Sequence, residues 1–274
     1  MQLSAIVPAT FLLVASPFRA AQLSHGADRA FREYVAALET RLVKQHASPT
    51  GYLAVLQRPA MERSATERQL KSGIVLVEPV NGGMQRIDSA MLHHWRAAAF
   101  VPGARAADML ALLRDYNELP KHYAPEVQRC KVLSQEGDVA RLAIRLKEQK
   151  IITVVMDAEY EVTARLIDRT RGYEISRSTH IWEVDNPGTP RERRRPEGND
   201  DGFLWRLNSY WSFLEVPGGL LMECEAVSLT RDTPPGMGWL ITPVITELPR
   251  ESLEFTLTAT KKALLANLRK EANQ

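Results

Sequence analysis

The strongest constraint on the fold is one long stretch of alternating side chains, Val154 to Leu166. Its even-numbered residues are all apolar or aromatic, and its odd-numbered residues are polar or charged except Val155. Successive side chains of a β-strand point to opposite faces, so this pattern predicts a strand with one dry face and one wet face. A glycine-free strand of this length is typical of a large, twisted antiparallel sheet.

Further periodic segments surround this strand. Alternating or β-branched runs predict five more strands: Met91–Val101, Ala140–Leu146, Tyr173–Val184, Phe203–Leu214 and Leu220–Leu229. Apolar spacings of three and four predict helices at Asp28–Gln45, Ala106–Tyr116, a short segment ending near His122, and Pro249–Lys270. The element order predicts an α+β fold in which the long last helix covers the concave face of a curved sheet. The space between such a helix and the sheet is either filled with side chains or left as a cavity.

The chain divides into three segments. Residues 1–21 contain the apolar run Ala5–Phe18 and end in small residues, which is typical of a signal peptide cleaved near Gln22. The first four residues lack Lys and Arg, and Pro8 interrupts the run, so a frayed terminus or a docking helix is the alternative. We therefore expect a secreted or periplasmic protein, and otherwise a cytoplasmic one. No apolar run has the length of a membrane-spanning segment.

Residues 22–89 are predicted to form an N-terminal extension, and residues 90–274 the main domain. The extension holds the first helix and two β-like runs, Tyr52–Leu56 and Ile74–Val77, followed by a turn signal at Asn81-Gly82-Gly83. The segment 185–202 combines Pro, Gly and charge without an apolar cluster, which predicts a solvated loop.

Three stretches carry a resemblance to a known superfamily: WRAAAFVPGARAADMLALLRDYNELPKHY, GFLWRLNSYWSF and GGLLMECEAVSLTRDTPPGMGWLITPVI. From about His94 to Lys270 the chain resembles the helix-grip superfamily of START, pollen-allergen-like and polyketide cyclase or dehydratase proteins, often abbreviated SRPBCC. Within it, the chain looks like a bacterial branch whose members often carry a signal peptide. The resemblance implies a seven-stranded curved sheet gripping a C-terminal helix over an apolar cavity. Its members bind lipids, sterols or polyketides, a minority are enzymes, and no catalytic residue is common to all.

Several function classes are disfavoured by composition and motifs. The 35 basic and 33 acidic residues give a net charge of +2, so nucleic acid is a poor candidate partner. Two cysteines exclude a disulfide scaffold, and no phosphate-binding or serine-hydrolase motif occurs. Neighbouring His93 and His94 would point to opposite faces of a strand, so no metal site and no cofactor are expected.

The sequence therefore favours a protein that binds a hydrophobic small molecule or lipid without transforming it. The candidate ligand-binding residues are Leu142, Ile144, Val154, Met156, Ala158, Tyr160, Arg206 and Leu257. Arg206 lines the cavity only if the even-numbered face of its strand is concave, which the pattern does not decide. One alternative is a cyclase, dehydratase or hydrolase, with Tyr160, Arg206 and Glu225 as nominal catalytic groups. The other is an interaction protein whose cavity is filled.

Overall fold

The computed structural model describes residues 22–149, 153–196, 198–232 and 238–273. Eight long strands form one antiparallel sheet in the order β1-β2-β9-β8-β6-β5-β4-β3, and a two-residue β7 pairs with β6. The strands are β1 (Leu76–Ile87), β2 (Ala90–Pro102), β3 (Val127–Glu136), β4 (Val139–Gln149), β5 (Thr153–Leu166), β6 (Arg171–Asp185), β7 (Arg193–Arg194), β8 (Arg206–Val216) and β9 (Gly219–Arg231). The predicted α+β class is confirmed, with more strands than the seven expected.

The helical segments lie on the two faces of this sheet. They are α1 (His25–Ala47), the 3-10 turn η1 (Ala54–Gln57), α2 (Ala60–Lys71), α3 (Ala106–Arg114), the 3-10 turn η2 (Tyr116–Glu118), α4 (Leu119–His122) and α5 (Gly238–Ala272). None of the helices in the described ranges combines the length and apolar character that a membrane crossing needs.

The concave face of the sheet packs against α5 and α3. Leu253, Leu257 and Leu264 of α5 are buried in one core cluster with Trp211 and Phe213 of β8. The leucine stripe of the predicted last helix therefore faces the sheet. The helix begins at Gly238, however, and not at Pro249. An interior proline removes one backbone hydrogen bond and clashes with the carbonyl four residues earlier, which is why a start at Pro249 was expected, but the helix continues through it.

The convex face is covered by the N-terminal extension. Phe31, Val35, Leu38 and Leu42 of α1 are buried against apolar side chains of β2, β8 and β9, and η1 packs beside them in a second cluster around Tyr52. Over these three strands the sheet is therefore buried on both faces. The sequence led us to expect one face in water, because a period-two pattern does not show that a separate helix covers the polar side.

Two local expectations in the extension need correction. The run around Tyr52 forms η1 and its preceding bend, not a strand. Asn81, Gly82 and Gly83 have positive φ values of 51°, 85° and 79° and form an irregularity within β1, where the pairing register shifts between Pro79 and Met84. The chain reverses later, at the turn between Ile87 and Ala90, so β1 of the extension belongs to the same sheet as the main domain.

The arginine-rich loop after β6 is mostly exposed, as the sequence predicted, but its last arginines contact the sheet. The Arg194 guanidinium lies 4.4 Å from the centre of the Trp182 ring, and its Nε lies 3.0 Å from Asp157 Oδ2. Arg195 Nη1 donates to Glu183 Oε2 at 2.8 Å. Acidic side chains on neighbouring strands thus neutralise these arginines and hold the loop in place.

Candidate functional site: a cavity beneath the C-terminal helix

A cavity of about 580 Å³ lies between the concave face of the sheet and α5. Its walls are mostly apolar. They comprise Leu113, Tyr116, Leu119 and Tyr123 from the α3–α4 segment, Leu142, Ile144, Leu146, Val154, Met156 and Val162 from β4 and β5, Leu207, Trp211, Cys224 and Ala226 from β8 and β9, and Leu248, Leu253 and Phe255 from α5.

The space in this cavity follows from a row of small side chains. Ser176 of β6 pairs with Ser209 of β8, and Ser209 pairs with Ala226 of β9. All three residues line the cavity. Because paired residues lie side by side across a sheet, three short side chains in one row leave room above the sheet that α5 does not fill.

Glu174 is the buried carboxyl group of this cavity. Its residue is only 7% exposed, and no hydrogen bond or ion pair of its side chain is found in the described part of the chain. Burial raises the pKa of Glu174 to about 8, because removal from water disfavours the charged form. Tyr116, Tyr123 and Cys224 lie close enough to interact with it electrostatically. A cavity-facing carboxyl with a raised pKa marks a candidate functional residue.

The other ionisable side chains of the cavity have partners. Glu126 and Glu148 lie 3.3 Å and 3.0 Å from the Ser252 hydroxyl of α5. Asp201 accepts a hydrogen bond from Arg195 at 2.7 Å, and Asp232 pairs with Arg86 at 3.2 Å. These groups are held by protein contacts, which distinguishes them from Glu174.

The structure places the predicted ligand-binding residues other than Arg206 in three environments. Leu142, Ile144, Val154 and Met156 line the cavity. Ala158 and Tyr160 lie beside it, in a packed cluster with Tyr116 and Val162, and Leu257 lies in the main core under α5. The last three side chains are buried but do not form the cavity surface.

Arg206 requires a correction, because its side chain lies on the convex face. The odd-numbered residues Leu207, Ser209 and Trp211 line the cavity, so the even-numbered residues of β8 point towards α1. Arg206 Nη2 lies 2.9 Å from Asp28 Oδ1 of α1.

Glu225, a nominal catalytic group, also lies on the convex face, within a buried network of charges. His94 Nε2 lies 2.8 Å from Glu225 Oε2, Arg41 Nη2 2.5 Å from the same oxygen, and Arg96 Nη2 3.2 Å from Oε1. Burial alone would raise the pKa of Glu225, but the hydrogen bond from His94 and the charges of Arg96 and Arg41 lower it to about 2. Neighbouring Glu223 accepts hydrogen bonds from the backbone N–H groups of Ala54 and Val55 in η1. The network fastens the extension to the sheet.

The histidines and cysteines show no constellation for metal chemistry. His93 and His94 point to opposite faces, where His93 lies 3.1 Å from the Thr230 hydroxyl and His94 joins the Glu225 network. Cys130 on β3 and Cys224 on β9 are free thiols. Within the described ranges, no group of three or more His, Cys, Asp and Glu side chains is arranged to hold a metal ion.

The sequence interpretation missed Glu174 and the row of small residues. On β6, Tyr173 and Ile175 alternate with Glu174 and Ser176, which by period alone places the polar pair in water. The apolar set faces the convex side, where Ile175 packs near α1. The sequence contained one indication that the convex face is buried. The predicted helix Asp28–Gln45 is amphipathic, and its apolar stripe has to pack against another element, such as a face of the sheet.

A curved antiparallel sheet around a long C-terminal helix, with short helices between its second and third strands, is the helix-grip architecture. The chain has a helix-grip fold. No family model and no curated protein matches it. Solved structures similar to it include a STAR-related lipid transfer protein from Xanthomonas axonopodis, at 16% identity over 69% of this chain and 98% of that one, with a TM-score of 0.44. Human STARD10 has 10% identity over 80% and 85%, with a TM-score of 0.45. The Zhui aromatase/cyclase from Streptomyces sp. R1128 has 10% identity over 66% and 96%, with a TM-score of 0.42.

Proposed function

We propose that this protein binds a hydrophobic small molecule or lipid in the cavity beneath α5. The observation that carries the proposal is a volume of about 580 Å³ with mostly apolar walls. Small-molecule sites typically measure about 300–1,000 Å³ and combine apolar walls with few polar groups. A filled cavity, as in the interaction-protein alternative, would fall well below this range.

Binding is driven by burial of the ligand's apolar surface, which contributes about 25 cal/mol per Å². Leu142, Ile144, Val154 and Met156 supply that surface from β4 and β5. Ala158, Tyr160 and Leu257 pack behind or beside the walls, and in this proposal they hold the lining residues in position.

The test is a cavity-filling substitution with a matched control. Ala226 lines the cavity in the row of small residues, so Ala226→Phe should fill part of it. Ala37 is exposed on α1, so Ala37→Phe adds the same side chain at the surface. We expect the wild type and Ala37→Phe to bind an apolar fluorescent probe equally, and Ala226→Phe to bind it at least about tenfold more weakly. Unchanged affinity in a folded Ala226→Phe variant would place the probe elsewhere and contradict the proposal.

A second candidate function is proton-transfer catalysis in the same cavity, of the cyclase or dehydratase kind. Glu174 favours it, because a carboxyl with a pKa of about 8 can act as a general acid or base near neutral pH. Native mass spectrometry of wild type and Glu174→Gln purified from the source cell separates the two functions. Under binding alone, any ligand that Glu174→Gln retains has the same mass as the ligand in wild type. Catalysis leaves a different mass, that of the unconverted substrate, in Glu174→Gln.

We further propose that residues 1–21 are removed during export, which would place the protein outside the cytoplasm. A new terminus near Gln22 would leave the start of α1 complete, because Ser24 caps that helix by accepting a hydrogen bond from Ala27 N–H at 3.0 Å. Intact mass of the protein from its source cell tests this, and a mass that includes residues 1–21 would overturn it.

A further inference from the structure

The cavity contains a buried acid for which the described residues supply no counter-charge. Glu174 lines the cavity, is nine-tenths buried and has no ion pair in the described part of the chain. An ionised carboxylate in such surroundings is costly unless a cation or several donors compensate it. Glu225, on the other face of the sheet, has three such partners. Glu174 can stay protonated when no ligand is bound, and because no described residue supplies a cation, one that pairs with its ionised form would come from the ligand.

Aromatic side chains surround the same position. Trp211 is the register partner of Glu174 on the adjacent strand, and it lines the cavity together with Tyr116 and Tyr123. The Tyr123 hydroxyl is already engaged with Thr260 Oγ1 at 2.8 Å. Aromatic rings attract a cation placed over their faces, most strongly in the case of Trp. A carboxyl group beside a Trp and two Tyr rings is suited to an ammonium group.

The charge of the cavity lining points the same way. Among the described lining residues, the acidic ones are Glu126, Glu148, Glu174, Asp201 and Asp232, and the basic one is Arg231. This excess of carboxyl groups, although several are paired, favours a cation over an anion. A fatty acid or another anionic lipid would bring a second negative charge towards Glu174.

We propose that the ligand of this cavity is an amphipathic amine, with an apolar body held by the walls and a protonated amino group paired with Glu174. The inference rests on the proposed binding function and narrows its ligand class.

The proposal has a pH signature, because Glu174 must lose its proton to pair with an ammonium group. In the ligand-free protein its pKa of about 8 keeps it mostly neutral at pH 7. Burial and the nearby Glu174 raise the pKa of Tyr116 to about 12, and they also raise the pKa of Cys224. Burial raises the pKa of Tyr123. These three neighbours therefore stay neutral below pH 8. The ammonium displaces the Glu174 proton into solvent. Affinity should therefore increase about tenfold per pH unit up to about pH 8 and then level off.

The experiment compares three twelve-carbon probes as competitors of the apolar fluorescent probe, each below its critical micelle concentration. Dodecylamine carries an amino group that stays protonated, with a pKa near 10.4 by analogy with Lys. Dodecanol carries no charge, and dodecanoate carries a negative one. We expect dodecylamine to bind about tenfold to a hundredfold more tightly than dodecanol at pH 8, as a charge-assisted hydrogen bond provides. Dodecanoate should bind most weakly.

Glu174→Gln removes the charge and keeps the shape, so it should abolish both the preference for the amine and its pH dependence. Glu161→Gln makes the same change at an exposed position of β5 and should alter neither. The wild-type pH profile needs no variant and remains decisive if Glu174→Gln does not fold.

Equal affinity for dodecylamine and dodecanol at pH 8, or an amine preference that survives Glu174→Gln, would overturn the inference. If dodecanol displaces the probe in those cases, the binding function stands. If none of the three compounds displaces the probe, the binding function fails as well.

Discussion

Two buried glutamates, one on each face of this sheet, have pKa values shifted in opposite directions. Glu174 on the concave face and Glu225 on the convex face are both more than nine-tenths buried. Glu174 faces the cavity and has no charged partner among the described residues, and burial raises its pKa to about 8. Glu225 faces α1 and contacts His94, Arg41 and Arg96, which together lower its pKa to about 2 despite burial. Burial alone therefore does not tell a structural carboxyl from a functional one, and the partners decide.

This difference assigns separate tasks to the two layers of the molecule. In the convex layer, charged side chains pair with one another and join α1 and η1 to β2 and β9. The concave layer keeps an open volume and a carboxyl whose partner is missing from the described residues. Substitutions on the convex side should affect stability, and substitutions in the cavity wall of the concave side should affect binding.

The largest expected effect comes from Glu225→Gln. It leaves the charges of Arg41 and Arg96 without their shared carboxylate, and removing one partner of a buried ion pair typically costs about 3–5 kcal/mol in the free energy of unfolding. Glu174→Gln, the matched substitution on the other face, removes a carboxyl that must take up a proton on folding at pH 7, so it should raise that free energy and not lower it. Urea unfolding measures both. Similar losses would mean that Glu174 has a structural partner too.

Packing on the concave side should show a comparable effect at Leu264. This side chain is 1% exposed in the core under α5, so Leu264→Ala should cost about 2–5 kcal/mol. Arg269 is exposed in the last turn of the same helix, and Arg269→Ala should cost less than about 0.5 kcal/mol. Thermal unfolding compares the two variants. Equal shifts in melting temperature would show that α5 is rotated from the orientation described.

The two carboxyl groups should also give opposite pH dependences of stability. The folded-state pKa of Glu174 lies above the ordinary value of 4.5, so its contribution is fully present below about pH 4.5 and is lost as pH rises through about 8. The folded-state pKa of Glu225 lies below 4.5, so its contribution is present above about pH 4.5 and is lost as pH falls through about 2. Each slope can reach about 1.4 kcal/mol per pH unit.

The measurement is the difference in unfolding free energy between wild type and each glutamine variant over pH 3–9. From about pH 5 to 8, the stability of wild type should fall relative to Glu174→Gln. From about pH 4.5 to 3, it should fall relative to Glu225→Gln. Flat differences for Glu174→Gln would show that its carboxyl is solvated or paired in the folded protein.

The sequence predicted the elements better than it predicted the site. The alternation of Val154–Leu166 and the leucine stripe of the last helix identified the sheet and the helix that covers it, because each pattern matches a local period. It did not show that α1 covers the convex face, because contacts between distant segments leave no local pattern. Glu174 was consequently missed, and Arg206 was assigned to the wrong face. Both are polar residues on strands buried from two sides, where alternation no longer separates inside from outside.

The smallest expected effect, and the sharpest check on which face is which, concerns Arg206. Its side chain is 27% exposed and pairs with the 19% exposed side chain of Asp28, so the pair is partly screened by solvent. Arg206→Gln should cost about 0–1 kcal/mol in the free energy of unfolding, as is usual for pairs near the surface. Because Arg206 points away from the cavity, the affinity of the apolar probe and the preference for dodecylamine should stay within about twofold of wild type. Glu174→Gln should give the reverse, an unchanged fold and a lost amine preference. Titration of the probe and of dodecylamine into both variants at pH 8 makes the comparison. A large loss of affinity in Arg206→Gln alone would mean that β8 presents its even-numbered residues to the ligand, contrary to the described strand orientation.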